Sequence, residues 1–160
     1  MSKVSQKTTT YRSLSKRDVV NVKTKSPNLN FKFLHIMHSK DLEYLHTTQR
    51  KHNCGYFTNL EEFIYEFSCF NTLEKAIQQY TSKKGSKINK NKNVYVKNLI
   101  KKFNSIGTED SKKLIGNSNE LKELEHIHLK KGGKGKFVIF GITYENSFYV
   151  LDMNPEHDFD

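Results

Sequence analysis

The feature that most constrains the fold is a continuous apolar run at residues 137–142, Phe-Val-Ile-Phe-Gly-Ile. A strand with one face in water alternates apolar and polar residues, whereas a strand that is apolar at every position must be covered on both faces. A second apolar run at residues 147–153 follows after Glu145 and Asn146. Two such runs joined by two residues are typical of a β-hairpin. We therefore predict a C-terminal hairpin whose first strand, residues 137–144, is a central strand beneath helices.

Further elements are predicted from the spacing of apolar residues. Residues 31–36 alternate with a period of two, which predicts the first strand, and residues 126–129 predict another. Thr58 and Glu61 match a capping box, apolar residues then recur at helical spacing, and Thr72 offers a second start. We expect two consecutive helices over residues 58–80, meeting near Asn71. Residues 81–93 predict a loop, residues 94–106 an amphipathic helix, and residues 107–125 a short helix followed by a loop.

A chain of 160 residues has the size of one ordinary domain. Residues 1–28 are basic and rich in serine and threonine, with too few apolar side chains to offset the entropy of ordering, so they predict a flexible basic arm. Residues 29–160 are expected to form a single α+β domain. Its predicted architecture is a small antiparallel sheet, made of the early strand and the C-terminal hairpin, packed against two to four helices.

The formal net charge is +10, and most of the excess comes from lysine. Residues 83–102 contain eight lysines and no carboxylate, and residues 130–136 contain four lysines and three glycines. Clustered positive charge of this kind favours contact with a polyanion, and nucleic acid is the predicted partner. The residues predicted to contact phosphates are Arg12, Lys16, Arg17, Lys83, Lys84, Lys87, Lys90, Lys92, Lys97, Lys101, Lys102, Lys130, Lys131, Lys134 and Lys136.

Several other functional classes are not favoured. Cys54 and Cys69 make neither a disulfide framework nor a Cys-x-x-Cys pair, and no segment is apolar enough to span a membrane. A cytoplasmic protein without a membrane anchor is expected. The glycine-rich turn at residues 130–136 lacks the spacing of a Walker loop, so it is either a phosphate-binding turn or a hairpin turn kept soluble by lysine. No cofactor is predicted.

Histidines offer the main opportunity for chemistry. His126 and His128 share one face of their predicted strand, where two imidazoles can hold a metal or share a proton. No third ligand is indicated, so no metal is predicted and a structural or surface role is favoured. His157 lies close in sequence to Asp152, Glu156 and Asp158, one of which would orient it as a general base. The other interpretation is that His157 pairs within a charged surface.

The C-terminal residues carry a resemblance to a known group. Gly-Lys-Gly-Lys-Phe-Val-Ile-Phe-Gly-Ile at residues 133–142, Ser-Phe-Tyr-Val-Leu at residues 147–151 and Asn-Pro-Glu-His at residues 154–157 resemble the end of small bacterial proteins from mobile-element and defence loci. Phe-Lys-Phe at residues 31–33 also fits, whereas Asn154 and Asp152 depart from the pattern.

The hairpin is also similar in outline to the closing strands of RelE-like endoribonuclease toxins, which cleave RNA without a metal. That resemblance implies Lys134, Lys136, Tyr149 and His157 as catalytic candidates.

Three functions remain open from the sequence. The favoured one is a nucleic-acid-binding or nucleoprotein accessory protein, such as a component of a phage-defence or CRISPR-type complex, which contacts the phosphate backbone through its lysines. The second is a RelE-like, metal-independent endoribonuclease toxin. The third is a protein–protein adaptor whose lysines meet an acidic partner. Lysine without arginine or exposed aromatic stacking motifs supports phosphate contact but not base recognition, so this feature does not separate the three functions.

Overall fold

The computed structural model describes residues 26–38, 56–82, 85–118, 120–155 and 157. Most of the predicted arm, with Arg12, Lys16 and Arg17, lies outside these residues, as do Lys83 and Lys84. In chain order the elements are β1 (Asn28–Asn30), α1 (Lys32–Met37), α2 (Tyr56–Ser68), α3 (Leu73–Tyr80), β2 (Lys87–Asn89), α4 (Val94–Asn104), α5 (Glu109–Ile115), a 3₁₀ turn (Gly116–Ser118), β3 (Glu123–Lys130), β4 (Lys134–Tyr144) and β5 (Ser147–Asn154). These elements confirm the predicted α+β class.

The five strands form one sheet in the order β1-β5-β4-β3-β2. All neighbouring strands are antiparallel except β1, which runs parallel to β5. The sheet is therefore mixed, and larger than a hairpin with one early strand. The β4–β5 hairpin turns at Glu145 and Asn146 as predicted, with Glu145 at φ 52°. Residues Phe137 to Ile142 are buried and β4 occupies the middle of the sheet, which confirms its prediction as a central strand.

Helices cover both faces of this sheet. On one face, α2 and α3 contribute Phe63, Phe67 and Tyr80, which pack with Ile139 and other strand residues in what we call the α2/α3 core. On the opposite face, α4 contributes residues such as Phe103, which meet the other set of strand side chains in the α4 core. Successive residues of a strand point to opposite faces, so an uninterrupted apolar run supplies both cores at once.

The helical predictions for residues 58–80 and 94–106 are confirmed as α2, α3 and α4. Thr72 caps α3 by accepting a hydrogen bond from the Lys75 backbone N–H at 3.3 Å. Asn93 caps α4 in the same way, accepting from the Val96 N–H at 3.0 Å. Side-chain oxygens at these positions satisfy backbone donors that the first turn of a helix leaves without a partner.

Three local predictions were wrong. Residues 31–36 do not form a strand: α1 begins at Lys32, because Phe33, Leu34 and Met37 bury one helical face against the two cores. Six residues are too few to separate a period of two from a period of 3.6. Thr58 is not a cap, since α2 begins at Tyr56 and places Thr58 inside its first turn. The predicted loop at residues 81–93 contains β2, a three-residue strand that exists only through pairing with β3.

The glycine-rich turn between β3 and β4 is hydrogen-bonded to the C-terminal end of α3. The Gly132 N–H donates to the Gln79 carbonyl at 2.7 Å. Gly133 has φ 64°, and a Cβ at this position would lie 2.3 Å from the Ser82 nitrogen. Only glycine allows both this backbone conformation and this close approach. The turn therefore presents its lysines from an anchored backbone.

Candidate active site

A buried carboxylate lies on the α4 side of the sheet. Asp152 is 2% exposed. The register of β4 and β5 shifts between Phe140 and Gly141, so that Asp152 lies opposite Phe140 while Leu151 is an extra residue. Both Leu151 and Phe140 pack in the α4 core. Such β-bulges re-aim side chains and are frequent beside active sites. Here the bulge directs the Asp152 side chain toward the apolar residues of the α4 core.

Both oxygens of Asp152 have partners. The Tyr95 hydroxyl, in the first turn of α4, donates to Oδ2, and His38 Nε2 lies 2.8 Å from Oδ1. The Tyr95 ring in turn packs against Phe140 with a centroid separation of 5.5 Å. A carboxylate that accepts from an imidazole sets the tautomer and the orientation of the ring. Asp152 therefore pairs with His38 and Tyr95, whereas the sequence suggested His157.

His126 and His128 extend this polar region along β3. Their ring centroids are 5.7 Å apart, and the His126 ring stacks on Phe140 at 6.2 Å. His126 Nδ1 lies 2.8 Å from the Ser86 carbonyl oxygen, and His128 Nδ1 lies 2.9 Å from that of Gly135. A carbonyl oxygen only accepts, so each Nδ1 carries the hydrogen and the neutral ring has its lone pair on Nε2. The backbone thus fixes both tautomers.

His157 completes a row of three imidazoles. Its ring is nearly parallel to that of His128, with centroids 5.5 Å apart and an interplanar angle of 21°. His157 has φ 59°, a left-handed conformation that is uncommon for a residue other than glycine. Backbone strain of this kind is concentrated at functional sites. The carbonyl of Gly135 accepts the hydrogen bond from His128, and the exposed Lys134 and Lys136 lie on either side of Gly135. The structure therefore brings three of the four catalytic candidates, Lys134, Lys136 and His157, to one end of the sheet.

Burial lowers the pKa of His128. Desolvation is the main cause, and the charge of the neighbouring His157 acts in the same direction, while the hydrogen bond to Gly135 opposes them. A histidine with a lowered pKa is neutral near pH 7 and can accept a proton there. His128 is 6% exposed, whereas His126 and His157 are half-buried. Solvent therefore reaches this row of rings mainly at His126 and His157, and His128 contributes a small exposed edge.

Tyr149, the fourth candidate from the resemblance, lies elsewhere. It pairs with Ile142 near the hairpin turn, and its ring is 6.0 Å from that of Phe33. Tyr149 lies five positions before Asn154, at the end of the strand nearest His157, which corresponds to about 17 Å along β5. Tyr149 is therefore not assembled with Lys134, Lys136 and His157. The structure instead places Tyr95 against Phe140, on which His126 stacks.

The remaining predicted phosphate contacts fall into two groups. Ion pairs join Lys87 to Glu123 at 3.1 Å, Lys90 to Glu120 at 2.6 Å, and Lys131 to Glu66 at 3.1 Å. The others are exposed: Lys92, Lys97, Lys101, Lys102, Lys130, Lys134 and Lys136. Lys97, Lys101 and Lys102 lie on the outer face of α4 and make no ion pair with the residues that the structure describes. Positive charge is thus least compensated on α4 and at the β3–β4 turn.

A cleft on the other side of the sheet carries negative charge, which is unsuitable for binding a phosphate. It has a volume of about 750 Å³ and lies between α3 and the strands, with Glu74, Glu125 and Glu145 in its lining. Glu125 is buried and accepts a hydrogen bond from the Thr143 hydroxyl at 2.7 Å. Three carboxylates would repel a polyanion. The histidine cluster is the better candidate for chemistry on nucleic acid.

His38 and Tyr95 are the site residues that sequence reasoning missed, and Asp152 was assigned a different partner, His157. One signal was available: Asp152 interrupts the apolar run of β5, and a polar residue in a buried strand is more informative than the apolar residues around it. No local signal links it to His38 or Tyr95, since 114 and 57 positions separate them from Asp152.

The described parts of the chain contain no group of three or more His, Cys, Asp or Glu side chains arranged to hold a metal ion. They also contain no helix long and apolar enough to cross a membrane. No protein-family model, curated protein or solved structure matches this chain significantly.

Proposed function

We propose that this protein is an endoribonuclease that cleaves RNA by histidine acid–base chemistry. The observation that carries the proposal is the row formed by His126, His128 and His157, which is separated from the buried Asp152 by Phe140 and ends at the lysine-bearing β3–β4 turn. Imidazoles with fixed tautomers supply proton transfer, and adjacent lysines supply charge for a phosphate. Exposed lysines alone would support binding only.

The reaction is an attack of the ribose 2′-hydroxyl on the adjacent phosphorus. His128, neutral and with its lone pair on Nε2, takes the proton of the 2′-hydroxyl. His157 gives a ring N–H proton to the departing 5′-oxygen as the phosphorus–oxygen bond breaks. Lys134 and Lys136 stabilise the negative charge that develops on the phosphoryl oxygens. The products are a 2′,3′-cyclic phosphate and a 5′-hydroxyl end.

The Asp152 network has a positioning role in this proposal. Asp152, Phe140 and His126 occupy neighbouring positions across β5, β4 and β3, so they form one row on the same face of the sheet. His126 stacks on Phe140, against which Tyr95 also packs. By accepting a hydrogen bond from the Tyr95 hydroxyl, Asp152 holds the Tyr95 ring against Phe140. Phe140 in turn orients His126, whose ring lies 5.7 Å from that of His128.

A non-catalytic nucleic-acid-binding role is the second candidate. The uncompensated lysines on the outer face of α4, Lys97, Lys101 and Lys102, favour it, because they extend positive charge beyond the histidine cluster. Such binding is expected to weaken steeply with salt and to show little sequence preference.

Incubation of the purified protein with single-stranded RNA tests the proposal. We expect cleavage with cyclic phosphate ends, and no cleavage at a position whose 2′-hydroxyl is replaced by hydrogen. His128→Ala and His157→Ala should each reduce kcat about 10²- to 10⁴-fold, the contribution of a general acid or base. His35→Ala is the matched control, because His35 is exposed on α1 and lies outside the cluster.

Cleavage that is retained in His128→Ala and His157→Ala, or that proceeds without a 2′-hydroxyl, would overturn the proposal. RNA binding without cleavage would identify the second candidate. Binding to neither RNA nor DNA, together with capture of an acidic protein, would identify an adaptor.

A further inference from the structure

A shallow aromatic hollow lies next to the β3–β4 turn, on the side of the sheet opposite the histidine cluster. Its volume is about 250 Å³, and it is lined by Tyr65, Glu66, Cys69, Phe70 and Lys131. Tyr65 is 73% exposed, twice the 36% of Tyr144 at the hairpin turn. An aromatic side chain this exposed makes few contacts within its own chain. The hollow is smaller than the roughly 300–1,000 Å³ typical of small-molecule sites, and its Tyr65 and Phe70 rings suit stacking against one planar ring.

Hydrogen bonds and ring packing fix the residues that line the hollow. Tyr80 is fully buried, and its hydroxyl donates to Glu66 Oε2 at 2.7 Å. The Lys131 ammonium lies 3.1 Å from the same oxygen, and the Phe70 ring packs edge-on against Tyr80 with centroids 6.2 Å apart. These contacts position Phe70 and Lys131 before any ligand arrives, which reduces the entropy cost of binding.

The hollow and the candidate active site share one turn. Lys131 begins the glycine-rich turn, and Lys134 and Lys136 end it on either side of Gly135, whose carbonyl holds His128. A strand that crosses this turn would meet lysines along its backbone and an aromatic surface at one side. Lysines that track phosphates, combined with aromatic side chains that stack on bases, are the usual elements of single-strand recognition.

We propose that Tyr65 and Phe70 form a stacking subsite for one base of an RNA strand that crosses the β3–β4 turn toward His128. This inference rests on the proposed endoribonuclease function and extends it to single-stranded substrate. Stacking is tolerant of base identity because every base has a π-face, so the subsite adds affinity without strong sequence preference.

The chain contains no tryptophan, so Tyr65→Trp creates a single fluorescent reporter in the hollow. The probe is a short single-stranded 2′-O-methyl oligonucleotide, which cannot undergo the cleavage reaction. We expect the oligonucleotide to quench Tyr65→Trp emission, and an abasic oligonucleotide of the same length to leave it unchanged. Tyr144→Trp is the matched control and should not respond, because Tyr144 lies at the far end of the sheet.

Tyr65→Ala should raise the Kd for the same oligonucleotide about 5- to 150-fold, the effect of losing one stacked base. Tyr144→Ala should leave the Kd unchanged. Because Tyr65 is exposed, its replacement is not expected to unfold the protein, and unchanged circular dichroism would verify this.

The outcomes separate the subsite from the proposed function. If wild-type protein binds and cleaves RNA but Tyr65→Ala binds as wild type does and Tyr65→Trp is not quenched, the subsite is overturned and the function stands. If the Tyr65 variants respond as expected but wild-type protein never cleaves RNA, the subsite stands and the catalytic proposal fails.

Discussion

The contact between Tyr95 and Asp152 provides the sharpest test of the site. We consider Tyr95→Phe, Asp152→Ala and the double variant. Tyr95→Phe removes one hydroxyl that donates to a buried carboxylate, and a hydrogen bond to a charged group contributes about 1.5–3 kcal/mol. Tyr95 is only half-buried, so water can partly replace Asp152 around its hydroxyl in Asp152→Ala. The His38 side chain is 12% exposed, so water replaces only part of the interaction that it loses in Asp152→Ala.

These exposures set the expected magnitudes. We expect the free energy of unfolding to fall by about 1–2 kcal/mol in Tyr95→Phe and by about 2–4 kcal/mol in Asp152→Ala. If the two groups interact directly, the double variant should lose less than the sum of the single losses, with a coupling energy of about 1 kcal/mol or more.

Urea unfolding monitored by circular dichroism measures each free energy, and an unchanged m-value shows that the unfolded states remain comparable. Tyr65→Phe, on an exposed position of α2, is the control and should have no effect. Losses that add within about 0.5 kcal/mol would refute a direct interaction between Tyr95 and Asp152. An Asp152→Ala variant as stable as wild type would refute the conclusion that the buried carboxylate is needed to satisfy its partners.

Two further outcomes follow from the structure. Gly141→Ala would place a Cβ 2.4 Å from the Phe148 ring and 2.5 Å from the Tyr149 carbonyl oxygen. We therefore expect the free energy of unfolding to fall by about 1–3 kcal/mol and the Tm to fall by several degrees. An unchanged Tm in a thermal scan would contradict this close approach. The lowered pKa of His128 means that the unfolded chain binds a proton more readily, so its contribution to stability is full above about pH 6.5 and is lost as the pH falls toward the folded value. His128→Gln should therefore flatten the acid side of the stability profile in urea titrations at several pH values, and an identical slope in both proteins would show that burial does not perturb this histidine.

The predictions that succeeded depend on residues that are close together in the sequence. Residues 137–142 are apolar at every position, and the only way to bury such a strand is to cover both faces, which the two cores do. The prediction that a helix begins after Thr72 was also correct, because a helix cap acts within four residues of the chain. The predictions at residues 31–36 and at β2 failed because short segments take their conformation from the partners they pack against.

The features of the candidate site likewise fall into those that the sequence predicts and those that depend on the tertiary structure. From the sequence, residues 130–136 were expected to be a basic turn, and His126 and His128 were expected to share a face of one strand, because strand alternation is a local property. Their tautomers, the lowered pKa of His128 and the separation of Tyr149 from His157 depend on which strands are neighbours and in what register.

The sequence by itself determined the fold class, the central hairpin and the clustering of lysines along the chain, since apolar period and charge are read from neighbouring residues. Only the tertiary structure decided that Asp152 faces His38 and Tyr95. A bulge of one residue changes the direction of a side chain, and contacts between residues far apart in the chain form only when the whole sheet is assembled.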